Sequence, residues 1–230
     1  MICKKGNRPE NNNFFYNNQI LKNVQKFTYL GVTLSSNDTF LQTQKSLSQQ
    51  AMRALFSLNS LFDKVSLNIT EKLKLFDAMI SPILNYGSEV WGFHKAPDIE
   101  RIHMKFLKNI LLVKQQTTNA TIYGELGRVP MIIIRKTRIL KFWFKIMKYP
   151  NSLLYKMFSI SDANGNYVNK WSIDVKHLLD ELGFSYLWNS GEVTNVQLQM
   201  VISRVHDHSL QKWYSDIRNL LKFETYNLTK

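Results

Sequence analysis

Arg138, Lys141, Lys145 and Lys148 stand three, four and three residues apart. On an α-helix that spacing places four cations along one face. Ile133, Leu140, Phe144 and Met147 fall along another. Arg101, Lys105 and Lys108 repeat the pattern at spacings of four and three. Rows of ammonium and guanidinium groups contact phosphates, which gives affinity for nucleic acid without reading its sequence. A solvated face of an amphipathic helix carries the same pattern, so the rows have to be weighed with the charge of the whole chain. Thirty Lys and Arg face 17 Asp and Glu in 230 residues, a net charge of +13. Such an excess attracts a polyanion, with nucleic acid the first candidate and an anionic membrane the second. Trp143, between Phe142 and Phe144 in the longer row, is a candidate for stacking on bases. Phe144 and Trp91 read as core.

Other chemistries find little support. No HExxH, Walker loop, GxGxxG or GxSxG occurs. His206 and His208 are two residues apart, about 200° around a helix, and so point to different faces. Asp180-Glu181 is the only adjacent acidic pair and reads as a solvated helix end. No carboxylate cluster suits a two-metal site. The single cysteine, Cys3, excludes a disulfide within the chain and a cysteine zinc site. No apolar run reaches the ~18 residues of a spanning helix, and MICKKGNRPE lacks the apolar core of a signal peptide. The expected setting is intracellular, nucleus or cytoplasm, with no secretion and no membrane. The sequons at Asn37, Asn68, Asn119 and Asn227 are then chance occurrences.

The elements that must position the cations are mostly helical. A small β unit comes first: FFYNNQI breaks at Asn17-Asn18, which tolerate positive φ and predict a tight hairpin turn. A second run over 19–24 and a third over 27–34 complete it. In the third, FTYLGVTLSS, Leu30, Val32 and Leu34 share one face and Phe27, Tyr29 and Thr33 the other. Gly31 in its middle predicts a bulge or the close approach of another backbone. A helical stripe from Phe40 to Phe62 follows, with Ser36, Asn37 and Asp38 as possible caps. Thr70 is the expected cap of a second helix, with Glu71 in its first turn and Pro82 breaking it. Pro97, Asp98 and Glu100 open a third. A short helix over 119–126 stops at Gly127, and a long one runs from Pro130 to about Lys148, ended by Pro150. Helices near 151–159, 171–182 and 196–223 complete the chain, with the turn ANGN between the first two.

Four segments in order, FTYLGVTLSSN, LFDAMISPILNYGSEVWG, IERIHMKFLKNILLV and TTNATIYGELGRVP, resemble the region that follows the catalytic motifs in reverse transcriptases of non-LTR (LINE-type) retrotransposons. The resemblance covers residues 1–150 well and the remainder loosely. It implies a mainly α fold: a small N-terminal antiparallel β-hairpin unit (a palm remnant) over 1–36, a thumb-like helical bundle over 37–115, and further helices over 116–230. It implies that Phe27, Tyr29, Leu30 and Gly31 correspond to the primer grip, where the glycine lets the sugar–phosphate backbone of a primer approach. The partner implied is an RNA/DNA template–primer duplex. The intact family enzyme, an RNA-directed DNA polymerase, uses Mg²⁺ held by palm aspartates. This chain has no Asp-Asp pair, so the expectation is a fragment of such an enzyme, with no cofactor of its own and no catalytic residue. The alternative is a non-catalytic basic helical nucleic-acid-binding protein unrelated to polymerases. A third reading, a basic protein on membrane surfaces, fits poorly, because the other faces of the 138–148 stripe are rich in Ile, Phe and Trp.

Overall fold

The computed structural model of the chain describes residues 14–22, 24–35, 40–163, 170–190 and 193–219, with side chains excepted at 160–163. The chain is mainly helical, with a small set of antiparallel strands before the helices, as the sequence predicts; the strands form two hairpins. The described contacts group into two compact units, residues 1–86 with 96–99 and residues 87–95 with 100–230. These units are defined by packing, whereas the three segments implied by the resemblance are defined by family role.

In the first unit, β1 (Phe15–Tyr16) pairs with β2 (Gln19–Ile20). The turn between them is the expected one: Asn17 and Asn18 take φ of 48° and 57°, the left-handed pair that a two-residue hairpin turn needs. The run over 27–34 departs from expectation. It is not one strand but a second hairpin, β3 (Lys26–Tyr29) against β4 (Val32–Ser35), folded at Leu30-Gly31. Leu30 and Gly31 have φ of 47° and 78°, so Gly31 is a turn residue and not a bulge. The faces re-sort accordingly. Phe27 lies opposite Leu34 and Tyr29 opposite Val32, so these four share a face. Leucine carries no turn signal, which is why the sequence pattern reads straight through the fold-back.

The pair next to a two-residue turn exchanges both backbone bonds, so the next pair turns its backbone groups outward. Thr33 is in that position, and one side chain satisfies it. The hydroxyl of the buried Thr43 accepts from Thr33 N–H at 2.8 Å and donates to Thr33 C=O at 3.0 Å. Thr43 lies in α1 (Leu41–Phe62), so the hairpin is tied to the first helix. The group close to Gly31 is the ring of Tyr86. A Cβ at Gly31 would stand 3.3 Å from Tyr86 Cε1, and the Tyr86 hydroxyl donates to Leu30 C=O at 2.9 Å.

The caps expected for α1 lie outside the described residues; the helix starts after Phe40 without a side-chain cap. α2 (Ile69–Met79) is capped by Asn68 and not by Thr70. Asn68 accepts from Glu71 N–H and Glu71 accepts from Asn68 N–H, both at 2.9 Å, a reciprocal box that uses Glu71 as predicted. Pro82 breaks the helix, and α3 (Ser81–Leu84) follows as a separate turn. Leu47, Ala51, Leu55 and Leu58 of α1, with Phe76, Ile80 and Leu84, are buried in this unit.

The second unit holds α4 (Ser88–Trp91), most of α5 (Pro97–Ile110), α6 (Asn119–Leu126), α7 (Met131–Lys148), α8 (Leu153–Ala163), α9 (Lys170–Glu181), α10 (Tyr186–Asn189) and α11 (Asn195–Arg218). The short α4 and α10 are additions to the sequence-based expectation. The ANGN turn falls largely outside the described residues, as does the chain beyond 219. The core is built on α7, where Ile139, Leu140, Trp143, Phe144 and Met147 pack with Val175, Leu178 and Leu179 of α9 and Val201 and Val205 of α11. No helix among the described residues is long and apolar enough to cross a membrane.

The hairpins bury little. Phe14, Phe15, Tyr16, Ile20, Phe27 and Tyr29 are all exposed, whereas the helices bury long stripes. Residues 14–22 and 24–35 should therefore open locally while the helices stay folded. Limited trypsinolysis should cut first after Lys22 and Lys26 and leave a resistant helical product; earlier cutting within α1 would contradict this. Gly31→Ala should destabilise the hairpin by about 1 kcal/mol, because it places a Cβ at φ 78° beside the Tyr86 ring.

Candidate nucleic-acid interface

α7 begins at a place where its own sequence offers no cap. Pro130 occupies the N-cap position and makes no side-chain hydrogen bond to the helix. The first N–H groups of a helix lack internal partners and carry the positive end of its dipole. Glu100 of α5 supplies what is missing. Its carboxylate accepts from Met131 N–H at 2.9 Å and Ile132 N–H at 2.8 Å. The same carboxylate takes a bond from Arg135 Nη2 at 3.2 Å. Arg135 is only 1% exposed, and its guanidinium also lies 5.7 Å from the centre of the Trp91 ring. Burial pushes the Arg135 pKa down, and the Glu100 charge and hydrogen bond oppose that shift. Burial, and secondarily the Glu100 charge, push the Tyr123 phenol up, which keeps it neutral.

α4 fixes the next turn of α7. A Cβ at Gly92 would clash with the Ser88 carbonyl oxygen and sit 3.0 Å from Ile139 Cδ1 and 3.2 Å from Arg135 Cβ, so a larger residue would force the backbone to shift. Arg138 bonds Glu89 Oε1 through Nε at 2.9 Å and Nη2 at 2.8 Å. The Glu89 carbonyl accepts from Trp171 Nε1 at 2.8 Å.

These contacts and the core set the rotation of α7 about its axis, and that rotation decides where the sequence-predicted cations point. Lys141, Lys145 and Lys148 are exposed, and none has an ion pair among the described residues. At 1.5 Å per residue they span about 10 Å, roughly three nucleotide steps of 3.4 Å along one strand. Arg138, the fourth member of the row, is committed to Glu89. In the other row, Arg101 and Lys105 are exposed. Lys108 is drawn inward: it is 5% exposed, and its ammonium donates to Gln115 C=O at 2.6 Å, tying down the loop after α5. Spacing alone placed all seven cations alike; the structure commits Arg138 and Lys108 to partners and leaves Lys141, Lys145 and Lys148 exposed with no ion pair among the described residues.

The aromatics divide differently from expectation. Trp143 is fully buried, stacked at 3° on Trp188 with centroids 5.9 Å apart and edge-on to Phe144. It is core and does not reach a base. Phe142 meets Trp171 edge-on at 5.8 Å. Trp91 is a buried anchor, as expected. Of the primer-grip-like residues, Phe27, Tyr29 and Leu30 are exposed and Gly31 is at the hairpin turn. His206 and His208 are both exposed on α11. Among the described residues no group of three His, Cys, Asp or Glu side chains is placed to hold a metal ion.

Sequence reasoning missed Glu100, Arg135 and Glu89 as the parts that orient the row. Glu100 read only as a favourable charge in the first turn of its own helix, and its partners are more than 30 residues away. No family model, curated protein or solved structure matches this chain.

Removing the Glu100 carboxylate leaves Arg135 buried without its counter-charge and α7 without its cap. Glu100→Ala should cost about 3 kcal/mol, the scale for breaking a buried pair from one side. Urea unfolding monitored by circular dichroism checks it; a loss below about 1 kcal/mol would show that α7 does not depend on this clasp.

Proposed function

We propose that the chain is a reverse-transcriptase-derived protein of the non-LTR retrotransposon type, corresponding to the part beyond the catalytic aspartates, and that it grips template–primer duplexes without catalysing synthesis. The reading rests on the ordered set of four segments that resemble this family. The structural observation that supports it best is the exposed row Lys141, Lys145 and Lys148 on a helix fixed at several points along its length. An exposed hairpin carrying Phe27, Tyr29 and Leu30 suits a primer-grip role. So does a net charge of +13, which favours a polyanionic partner. A nucleic-acid-binding protein without polymerase ancestry would use the same lysines, and the exposed row alone favours neither origin.

Two measurements test the reading. Purified chain should extend no primer with Mg²⁺ or Mn²⁺, because the sequence supplies no aspartate pair to hold the two cations that nucleotide transfer uses. Reproducible extension would mean that carboxylates elsewhere in the chain do this work.

The chain should bind mixed-sequence duplexes weakly, with affinity falling steeply as salt rises. Changing Lys141, Lys145 and Lys148 together to Gln should reduce the slope of log affinity against log salt by about two to three, one phosphate per lysine. An unchanged slope in a folded variant would return the row to a merely solvated face.

A further inference from the structure

Leu112 stands at the end of α5 in a conformation that leucine disfavours. Its φ is 54°, and its side chain is 90% exposed, the highest value for any large apolar side chain among the described residues. The bonds around it define the helix stop. Leu112 N–H donates to Asn109 C=O at 3.1 Å, and Val113 N–H reaches back to Lys108 C=O at 3.2 Å. That pair is the Schellman arrangement, with Leu112 at the left-handed position that glycine, or sometimes asparagine, normally fills. Neither local geometry nor burial rewards an apolar side chain here.

The base beneath it is fixed. The Lys108 ammonium holds Gln115 C=O from the inside, and Thr117 N–H closes a turn on Lys114 C=O at 3.0 Å. The surroundings are basic and polar: residues 101–117 contain Arg101, Lys105, Lys108 and Lys114 and no acid. Asn109, Gln115 and Gln116 are exposed, while Leu111 and Val113 are half-buried, so the leucine protrudes furthest from a largely polar stretch of chain.

We infer that Leu112 is an apolar wedge that presses against bases or sugars of a nucleic acid drawn to this basic stretch of the chain. This rests on the nucleic-acid reading above and adds a contact residue to it. A protein hot spot or a lipid anchor draws on a patch of apolar surface; a wedge into a base step needs one protruding side chain on a rigid base, flanked by cations and amides.

The wedge predicts opposite signs for stability and binding. In the full chain, Leu112→Gly and Leu112→Asn relieve the left-handed strain, so Tm should rise by a few degrees. Affinity for a fluorescein-labelled mixed-sequence DNA duplex, read by anisotropy at fixed salt, should fall by about fivefold to tenfold, the scale of one lost base contact. The slope of log affinity against log salt should stay unchanged, because no phosphate contact is removed. Undiminished affinity in the variants would overturn the wedge and leave the binding reading intact. Failure of the parent chain to bind duplex at any salt would overturn both. A loss confined to binding of phosphatidylserine-containing vesicles would overturn the wedge and assign Leu112 to a lipid surface.

Discussion

One carboxylate organises the second unit. Glu100 closes the N-terminus of α7 with its two oxygens and neutralises Arg135 through one of them, Oε1. Each task answers a physical requirement. The orphan N–H groups of a helix that starts after proline need acceptors, and a guanidinium 1% exposed needs a counter-charge. Because both partners belong to the first turns of α7, satisfying them fixes where that helix begins and how it is turned. The stacked Trp143 and Trp188 rings pin it further along. The direction of the lysine row follows from these two anchors.

The described charges are divided by chemistry. Both arginines of α7 are paired: Arg135 with Glu100, Arg138 with Glu89. A guanidinium is weakly hydrated and makes several directed bonds, so it suits partly buried pairs. Lysine is left outside at 141, 145 and 148, where a strongly hydrated ammonium on a flexible stem costs nothing to hold and remains available to a phosphate. Two lysines differ: Lys136 pairs with Glu181 at 3.4 Å, and Lys108 is buried beside a carbonyl at 2.6 Å. Glu100 and Glu89 thus hold the arginines of α7, while Lys141, Lys145 and Lys148 leave positive charge on its outer face.

The hairpins follow another economy. They keep aromatic and aliphatic side chains exposed and hold on through few directed contacts, chiefly the Thr43 hydroxyl on Thr33 and the Tyr86 hydroxyl on Leu30. Two hydroxyls, one buried and one exposed, supply register more than stability, since a net hydrogen bond contributes about 1 kcal/mol. Such an element is placed accurately yet opens easily.

Much of this protein was legible in local sequence. Periodicity and punctuation located the longer helices from Leu41 to Lys148, because an apolar stripe or a proline acts within a few residues of itself. Asn17-Asn18 announced its hairpin for the same reason. The second hairpin stayed hidden: Leu30-Gly31 takes its turn conformation with one residue that has no preference for it, held by Tyr86, 56 residues away. The cationic rows were readable as rows, but spacing cannot say which members face water. That Lys108 turns in and that Trp143 is core and not a stacking platform depended on what packs beside them. Sequence fixes what lies on one face of a helix; only the tertiary structure decides which way that face points, because the groups that settle it, Glu100 and Glu89 for α7, come from distant parts of the chain.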